Sequence, residues 1–173
     1  MNNDELRDKL TAVKDGDMAA FEEIYNHLKT PMYTIILRVT QCKSSSEDIL
    51  QEVFVKLFQS PPITAKNPRA YIFQMARNLA VDSAKRPQSV SLDLDNAPDP
   101  AYAYSPDNDI KLDIEAAMRE LTLTERQIVS LHINGELKFR EIADMLGIPL
   151  GTVIWKYHKA TGLLRSNLSG GAI

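Results

Sequence analysis

The sequence predicts an all-α protein: two small helical domains joined by an acidic, proline-rich linker, the second carrying a helix-turn-helix. Three observations carry this. Apolar side chains recur at helical spacing along most of the chain, and no stretch sustains the period-two alternation of a half-buried strand. Residues 87–109, PQSVSLDLDNAPDPAYAYSPDND, contain four prolines, five aspartates and no Lys or Arg, so the segment neither continues a helix nor pairs its own charges. Near the C-terminus, FREIADMLGIPLGTVIWKYHKA gives a short helix, a glycine turn and a second helix.

In chain order, residues 17–29 place Ala20, Phe21, Ile24 and Leu28 on one helical face, and residues 46–59 do the same with Leu50, Val53, Phe54 and Leu57. A third helix runs over 67–86, started by Asn67-Pro68 and stopped by Pro87. Beyond the linker, Thr124-Glu125-Arg126-Gln127 has the pattern of a capping box, with Ile128, Leu131 and His132 following it. Residues 139–147 form the first helix of the helix-turn-helix. Ala143 is small where a second helix must come close, and Gly147 makes the turn. Val153, Tyr157, Ala160 and Leu164 recur at i, i+4, i+7 and i+11, which assigns the buried stripe of the second helix. Thr152, Trp155, Lys156 and Lys159 then fall on the opposite side, with Ile154 and His158 at its margins. The expected domains are residues 1–86 and 110–173, with 87–109 between them. As a flexible coil that linker spans about 25–30 Å, so the two domains can reach separated targets.

Composition excludes several function classes. The 173 residues are 44% apolar and 25% charged, enough to bury a core. Cys42 is the single cysteine, so no internal disulfide or cysteine-rich metal site forms, and a small, partly buried apolar role suits it. No apolar run approaches the ~20 residues that span a bilayer, and a cytoplasmic protein is expected. His27, His132 and His158 are scattered and read as packing or surface residues. Nothing assembles a nucleophile, a base and an oxyanion site, so no enzyme, cofactor or metal is expected.

The net charge of −3 argues against nucleic-acid binding until it is divided along the chain. Residues 1–86 carry 12 basic and 11 acidic side chains, the linker none and 5, and residues 110–173 carry 8 and 7. The deficit lies in the linker. No Asp or Glu follows Asp144, whereas Lys156, Lys159 and Arg165 do, so the last helix offers a positive surface to phosphates.

At these residues the chain resembles a family. LTLTERQIVSLHINGELKFREIADMLGIPLGTVIWKYHKATGLLR is similar to the promoter-reading C-terminal domain of extracytoplasmic-function sigma factors of bacterial RNA polymerase. SSSEDILQEVFVKLFQ resembles their polymerase-binding helix, and NPRAYIFQMARNLAVDSAKR their helix for melting and reading the −10 element. The likeness covers about residues 15–86 and 110–168. It implies that Asp48, Gln51, Glu52 and Val55, at i, i+3, i+4 and i+7, grip the clamp of the largest polymerase subunit. It also implies that Lys66, Asn67, Arg69, Tyr71, Phe73, Gln74, Arg77, Asn78, Lys85 and Arg86 serve the melted −10 strand, with aromatics stacking on bases and cations holding the backbone. Tyr71 and Phe73 each have a plain core role as the alternative, since both neighbour Ile72 and Met75. The C-terminal set, Arg140, Thr152, Ile154, Trp155, Lys156, His158 and Lys159, is implied to face the −35 element. The flap of the second-largest subunit, promoter DNA and an anti-sigma factor complete the implied partners. In the family the linker threads the polymerase RNA channel; a tether with no specific path is the other reading.

The sequence departs from the family pattern at three places. Ile154 stands where a basic or polar residue is usual, Trp155 where a small one is, and Lys138 lacks the acceptor oxygen of an ordinary N-cap. Contact with thymine methyls, cover by an inhibitory partner, and loss of base reading all remain open for Ile154 and Trp155. Two other functions compete with a sigma factor: a stand-alone helix-turn-helix regulator, and a sigma-like decoy that binds an anti-sigma protein and no DNA.

Overall fold

The computed structural model describes residues 1–85, 114 and 116–169. The linker 87–109 and Arg86 lie outside the described residues. Those described are helical or in short turns, with no strand among them. We number the helices α1 (Asn3–Lys14), α2 (Met18–Thr40), α3 (Lys43–Gln59), α4 (Pro68–Lys85), α5 (Leu123–Ile133), α6 (Phe139–Leu146) and α7 (Leu150–Ser169). A short helical stretch at 116–120 precedes α5.

Helix α1 is absent from the sequence reading, because its acidic, polar composition hides a short apolar stripe. Leu6, Leu10 and Val13, at i, i+4 and i+7, are all buried, and the Asn2 side chain caps the helix by accepting from Glu5 N–H. Helix α2 continues well past the expected residue 29, through Pro31 to Thr40. The proline removes one backbone donor. The helix nevertheless persists, because Met32, Ile35, Ile36 and Val39 bury themselves beyond it. Helix α3 buries Val53, Phe54 and Leu57 as its periodicity predicts. Asn67 starts α4, its side chain accepting from Ala70 N–H at 2.9 Å.

The capping box of α5 begins two residues earlier than the sequence suggests. Thr122 is the N-cap and Glu125 the reciprocal partner, rather than Thr124 acting as cap. Lys138 caps α6 without a side-chain acceptor, and Glu141 reaches back to accept from its N–H at 2.8 Å. Gly147 ends α6 with φ 65°, a left-handed conformation that glycine adopts at little cost. Val153 and Ala160 are fully buried on α7 and Tyr157 is half-buried, so the stripe read from the sequence is the packed one.

The N-terminal and C-terminal helices pack directly on one another. Ile128, Leu131, Leu137, Ile142, Ala143 and Val153 belong to the same buried cluster as Leu28, Met32, Ile36 and Ile72. A smaller cluster of Met118, Leu121, Val129 and Ala160 supports α7 from behind. Polar contacts reinforce the junction. The Arg38 guanidinium donates to Ser130 Oγ and Asn134 Oδ1, both at 3.1 Å. The Gln41 amide, with its oxygen turned toward Arg126, accepts at 2.6 Å. The free protein is therefore closed, although the linker length permits separation.

Candidate docking and nucleic-acid interfaces

Burying one stripe of α3 leaves the other to solvent. Asp48, Gln51, Glu52 and Val55 are all exposed, Val55 to 52%. Within that face Glu52 pairs with Lys56 at 3.2 Å, an exposed contact of little energetic weight. The face continues into an apolar groove between α2 and α3, about 440 Å³, lined by Met18, Phe21, Tyr25, Phe54, Val55 and Phe58 among others. Its floor is a cluster of tilted rings, with Phe21 and Phe58 centroids 5.3 Å apart and Tyr25 and Phe54 4.7 Å apart. The sequence reading missed Phe58 and Met18. Phe58 was legible, since it follows Gln51 and Val55 at i+7 and i+3 on the same face.

Helix α4 divides the residues predicted to meet DNA. Tyr71, Gln74 and Asn78, at i, i+3 and i+7, are exposed, Tyr71 to 51%, and Lys85 extends the stripe near the C-terminal end. Arg77 is half-buried and donates to Asn78 Oδ1. Arg69 and Phe73 do not join them. Phe73 is fully buried and Arg69 only 6% exposed, because both share the inward stripe of Ile72, Ala76 and Ala80. The Arg69 guanidinium lies over the Phe73 ring, 5.6 Å from its centroid. It donates from Nε to the Gly135 carbonyl at 2.7 Å and pairs with Glu136 at 3.0 Å. In this closed state, then, neither residue faces a strand. Lys66 is exposed in the preceding loop, which Arg7 holds by donating to the Lys66 and Ala65 carbonyls at 3.0 and 3.4 Å.

The second helix of the helix-turn-helix presents the face the sequence assigns to it. Trp155 is 60% exposed, His158, Lys159 and Arg140 are exposed, and Thr152, Ile154 and Lys156 are half-buried. The Lys156 and Lys159 ammonium groups flank the indole, 5.9 and 5.6 Å from its centroid. Val153 faces the core, and two residues further along a helix is about 200° around it, which puts Trp155 outside. His132 is a packing residue: it bonds the Leu137 carbonyl at 2.8 Å and stacks on Phe139 at 4.2 Å between centroids. No group of three potential metal ligands exists among the described residues.

Glu125 was overlooked as more than a cap. It is 1% exposed, accepts from Thr122, and takes the Lys159 ammonium at 2.9 Å. Burial raises its carboxyl pKa, but the hydrogen bonds from Lys159 and Thr122 outweigh it and hold the group at about 2, against 4.5 for a free side chain. A depressed carboxyl contributes stability above its unfolded pKa and loses it as pH falls through the folded one. We therefore expect Glu125 to supply on the order of 3 kcal/mol at neutral pH. That share disappears between about pH 4.5 and pH 2. A Glu125→Gln variant should show a much flatter acid limb in melting curves taken across that window.

With these surfaces established, comparison with known proteins places the chain. The sigma-70 region 2 family matches residues 24–89, and the sigma-70 region 4 family matches residues 111–160. The chain is 25% identical to the ECF RNA polymerase sigma factor RpoE of Cereibacter sphaeroides, over 92% of this chain and 93% of that protein. It is 26% identical to the ECF RNA polymerase sigma factor SigK of Mycobacterium ulcerans, over 96% and 95%. Its fold is that of CnrH, solved with the cytosolic domain of CnrY, at TM-score 0.65, 15% identity and coverage of 96% of this chain and 98% of that one. It is also that of the sigma factor RpoE solved with the anti-sigma factor NepR from Bartonella quintana, at TM-score 0.66, 19% identity and coverage of 86% and 96%. The chain belongs to the sigma-70 family of RNA polymerase sigma factors, in its extracytoplasmic-function branch. Its function is to direct core polymerase to promoters as transcription begins. No described helix is long and apolar enough to cross a membrane.

Proposed function

We propose that the three exposed faces divide the work of a promoter-specificity subunit acting in the cytoplasm, one facing protein and two facing DNA. Residues 1–86 and 110–173 act as separate domains once bound, with 87–109 connecting them. Asp48, Gln51, Glu52 and Val55, with the apolar groove beside them, dock on the clamp of the largest polymerase subunit. Tyr71, Gln74, Asn78, Arg77 and Lys85, with the loop through Lys66 and Asn67, capture the melted −10 strand, where an exposed ring stacks on any base and cations hold the backbone. Arg140, Thr152, Ile154, Trp155, Lys156, His158 and Lys159 face the −35 element, with the flap of the second-largest subunit behind that domain. The protein contributes recognition, and the polymerase performs the chemistry. An anti-sigma factor is a further partner, in keeping with the structural relative RpoE solved with the anti-sigma factor NepR.

The observation that carries this reading is the exposed Trp155 on a helix with no acidic residue, flanked by Lys156 and Lys159. An indole covers a thymine methyl or a deoxyribose but lacks the paired groups that select guanine. A Trp155→Ser change should therefore lower promoter-dependent transcription by about 1–2 kcal/mol of recognition and leave the melting temperature almost unchanged. A large loss of stability would make Trp155 a core residue. Unchanged transcription with lost inhibitor binding would make it a protein contact. Trp155 is the single tryptophan, so its emission should be that of a wet indole in the free protein and shift when the promoter complex forms. Capture of genomic fragments with and without core polymerase separates this reading from a stand-alone regulator: specific capture should require the polymerase.

A further inference from the structure

Helix α1 precedes the segment that matches the sigma-70 region 2 family, which begins at residue 24, yet it holds the loop that leads into α4. From Ser60 to Asn67 the backbone is neither helix nor strand, so its carbonyls lack a repeating partner and need one from elsewhere. Pro61 and Pro62 stiffen the start of the loop. Two short turns follow, with Ile63 N–H donating to the Pro61 carbonyl at 2.8 Å and Ala65 N–H to the Pro62 carbonyl at 3.2 Å. Ile63 anchors this first half by packing against the main core. The second half is held by Arg7. Its Nη2 donates to the Lys66 carbonyl at 3.0 Å and the Ala65 carbonyl at 3.4 Å, while Nη1 pairs with Asp4 at 3.1 Å. The same helix supplies Asn3, whose side-chain oxygen accepts from Arg69 N–H in the first turn of α4 at 3.2 Å.

We propose that Arg7 is a positioning residue for capture of the −10 strand: through the Ala65 and Lys66 carbonyls it fixes where the exposed Lys66 stands beside the stripe of Tyr71, Gln74 and Asn78. The proposal rests on the reading of this loop and α4 as the strand-capturing surface. Hydrogen bonds from a charged donor are stronger than neutral ones, and here one guanidinium holds two successive carbonyls. A loop without such a brace samples many conformations, and a strand that binds it must order it first. Holding the loop beforehand removes that entropy from the binding step. Arg7 acts through the loop rather than on the strand itself, because its nitrogens are already committed, Nη1 to Asp4 and Nη2 to the two carbonyls. Lys66, by contrast, is exposed and directs its charge to solvent.

The test is a double-mutant cycle on the full chain bound to core polymerase, with Arg7→Gln, Lys66→Ala and the two combined. Binding of a fluorescein-labelled, random-sequence 12-nucleotide single strand is followed by anisotropy, with core polymerase alone as the background. Amide hydrogen exchange across residues 61–67 is measured in parallel. Each single change should weaken strand binding about fivefold, and the double variant should be little weaker than either, rather than reaching the product of about 25-fold that independent contacts give. Exchange across the loop should quicken in Arg7→Gln and stay unchanged in Lys66→Ala. The Arg7 side chain is 36% exposed, so melting temperatures should fall by no more than about 2 °C. Arg7→Met, which keeps the aliphatic stem, repeats the cycle with the packing of α1 preserved. Unchanged strand binding in Arg7→Gln would overturn the proposal. So would a double variant as weak as the product of the singles, which would make Arg7 a phosphate contact in its own right. If Lys66→Ala and Tyr71→Ala both bind the strand normally, the failure lies instead in the reading of the loop and α4 as the capturing surface.

Discussion

Replacing Gln51 and Glu52 together by lysine should abolish binding to core RNA polymerase and leave the fold intact. Both side chains are exposed on α3, opposite the buried Val53, Phe54 and Leu57. Among the described residues the ion pair lost is that with Lys56, so the stability change should stay within about 0.5 kcal/mol, as for other surface sites. Two new cations in the centre of a mixed acidic and apolar face, by contrast, reverse its charge and remove its hydrogen-bonding groups, through like-charge or lost hydrogen-bond contacts at a cost of several kcal/mol in association. Competition with a labelled wild-type protein for core enzyme measures this directly. A variant that melts normally and competes normally would show that the docking face lies on another helix.

Phe73 and Tyr71 should separate just as sharply, although they are two residues apart on one helix. Phe73→Ala empties a fully buried position between α4 and its neighbours and should cost about 3–5 kcal/mol. Tyr71→Ala removes an exposed ring and should change stability by less than about 0.5 kcal/mol. Its effect should fall instead on open-complex formation, by about 1–3 kcal/mol if the ring stacks on a base. Chemical denaturation and permanganate footprinting of the melted region read the two quantities separately. A stable Phe73→Ala protein would contradict the inward phase of α4.

That phase was legible before the structure. Arg69 and Phe73 stand at i−3 and i+1 from Ile72 and at i−7 and i−3 from Ala76, on the stripe that the apolar residues define. The family resemblance implied Arg69 as a DNA contact. Its helical phase assigns it to the interior. The reason a guanidinium can be interior at all was not legible, because its partners Gly135 and Glu136 belong to a distant turn. The same holds for Lys159 and Glu125, which no local spacing connects. Where a surface depends on one helix alone, as with Asp48, Gln51, Glu52 and Val55 or with Trp155, periodicity was sufficient. Where it depends on what covers it, as at the N-terminal end of α4, tertiary contact decided. The extent of α2 beyond Pro31 belongs to the second kind, since burial of Met32, Ile35 and Ile36 outweighs the missing backbone donor.

In the proposed function one chain docks on polymerase and reads two promoter elements. The most direct test combines the purified protein with core polymerase on genomic DNA and sequences the 5′ ends of the RNAs. The expected starts require the protein, share two upstream motifs at a fixed spacing, and lose the upstream motif's contribution in the Trp155→Ser variant. Starts that appear equally without the protein, or that share no upstream motif, would contradict it.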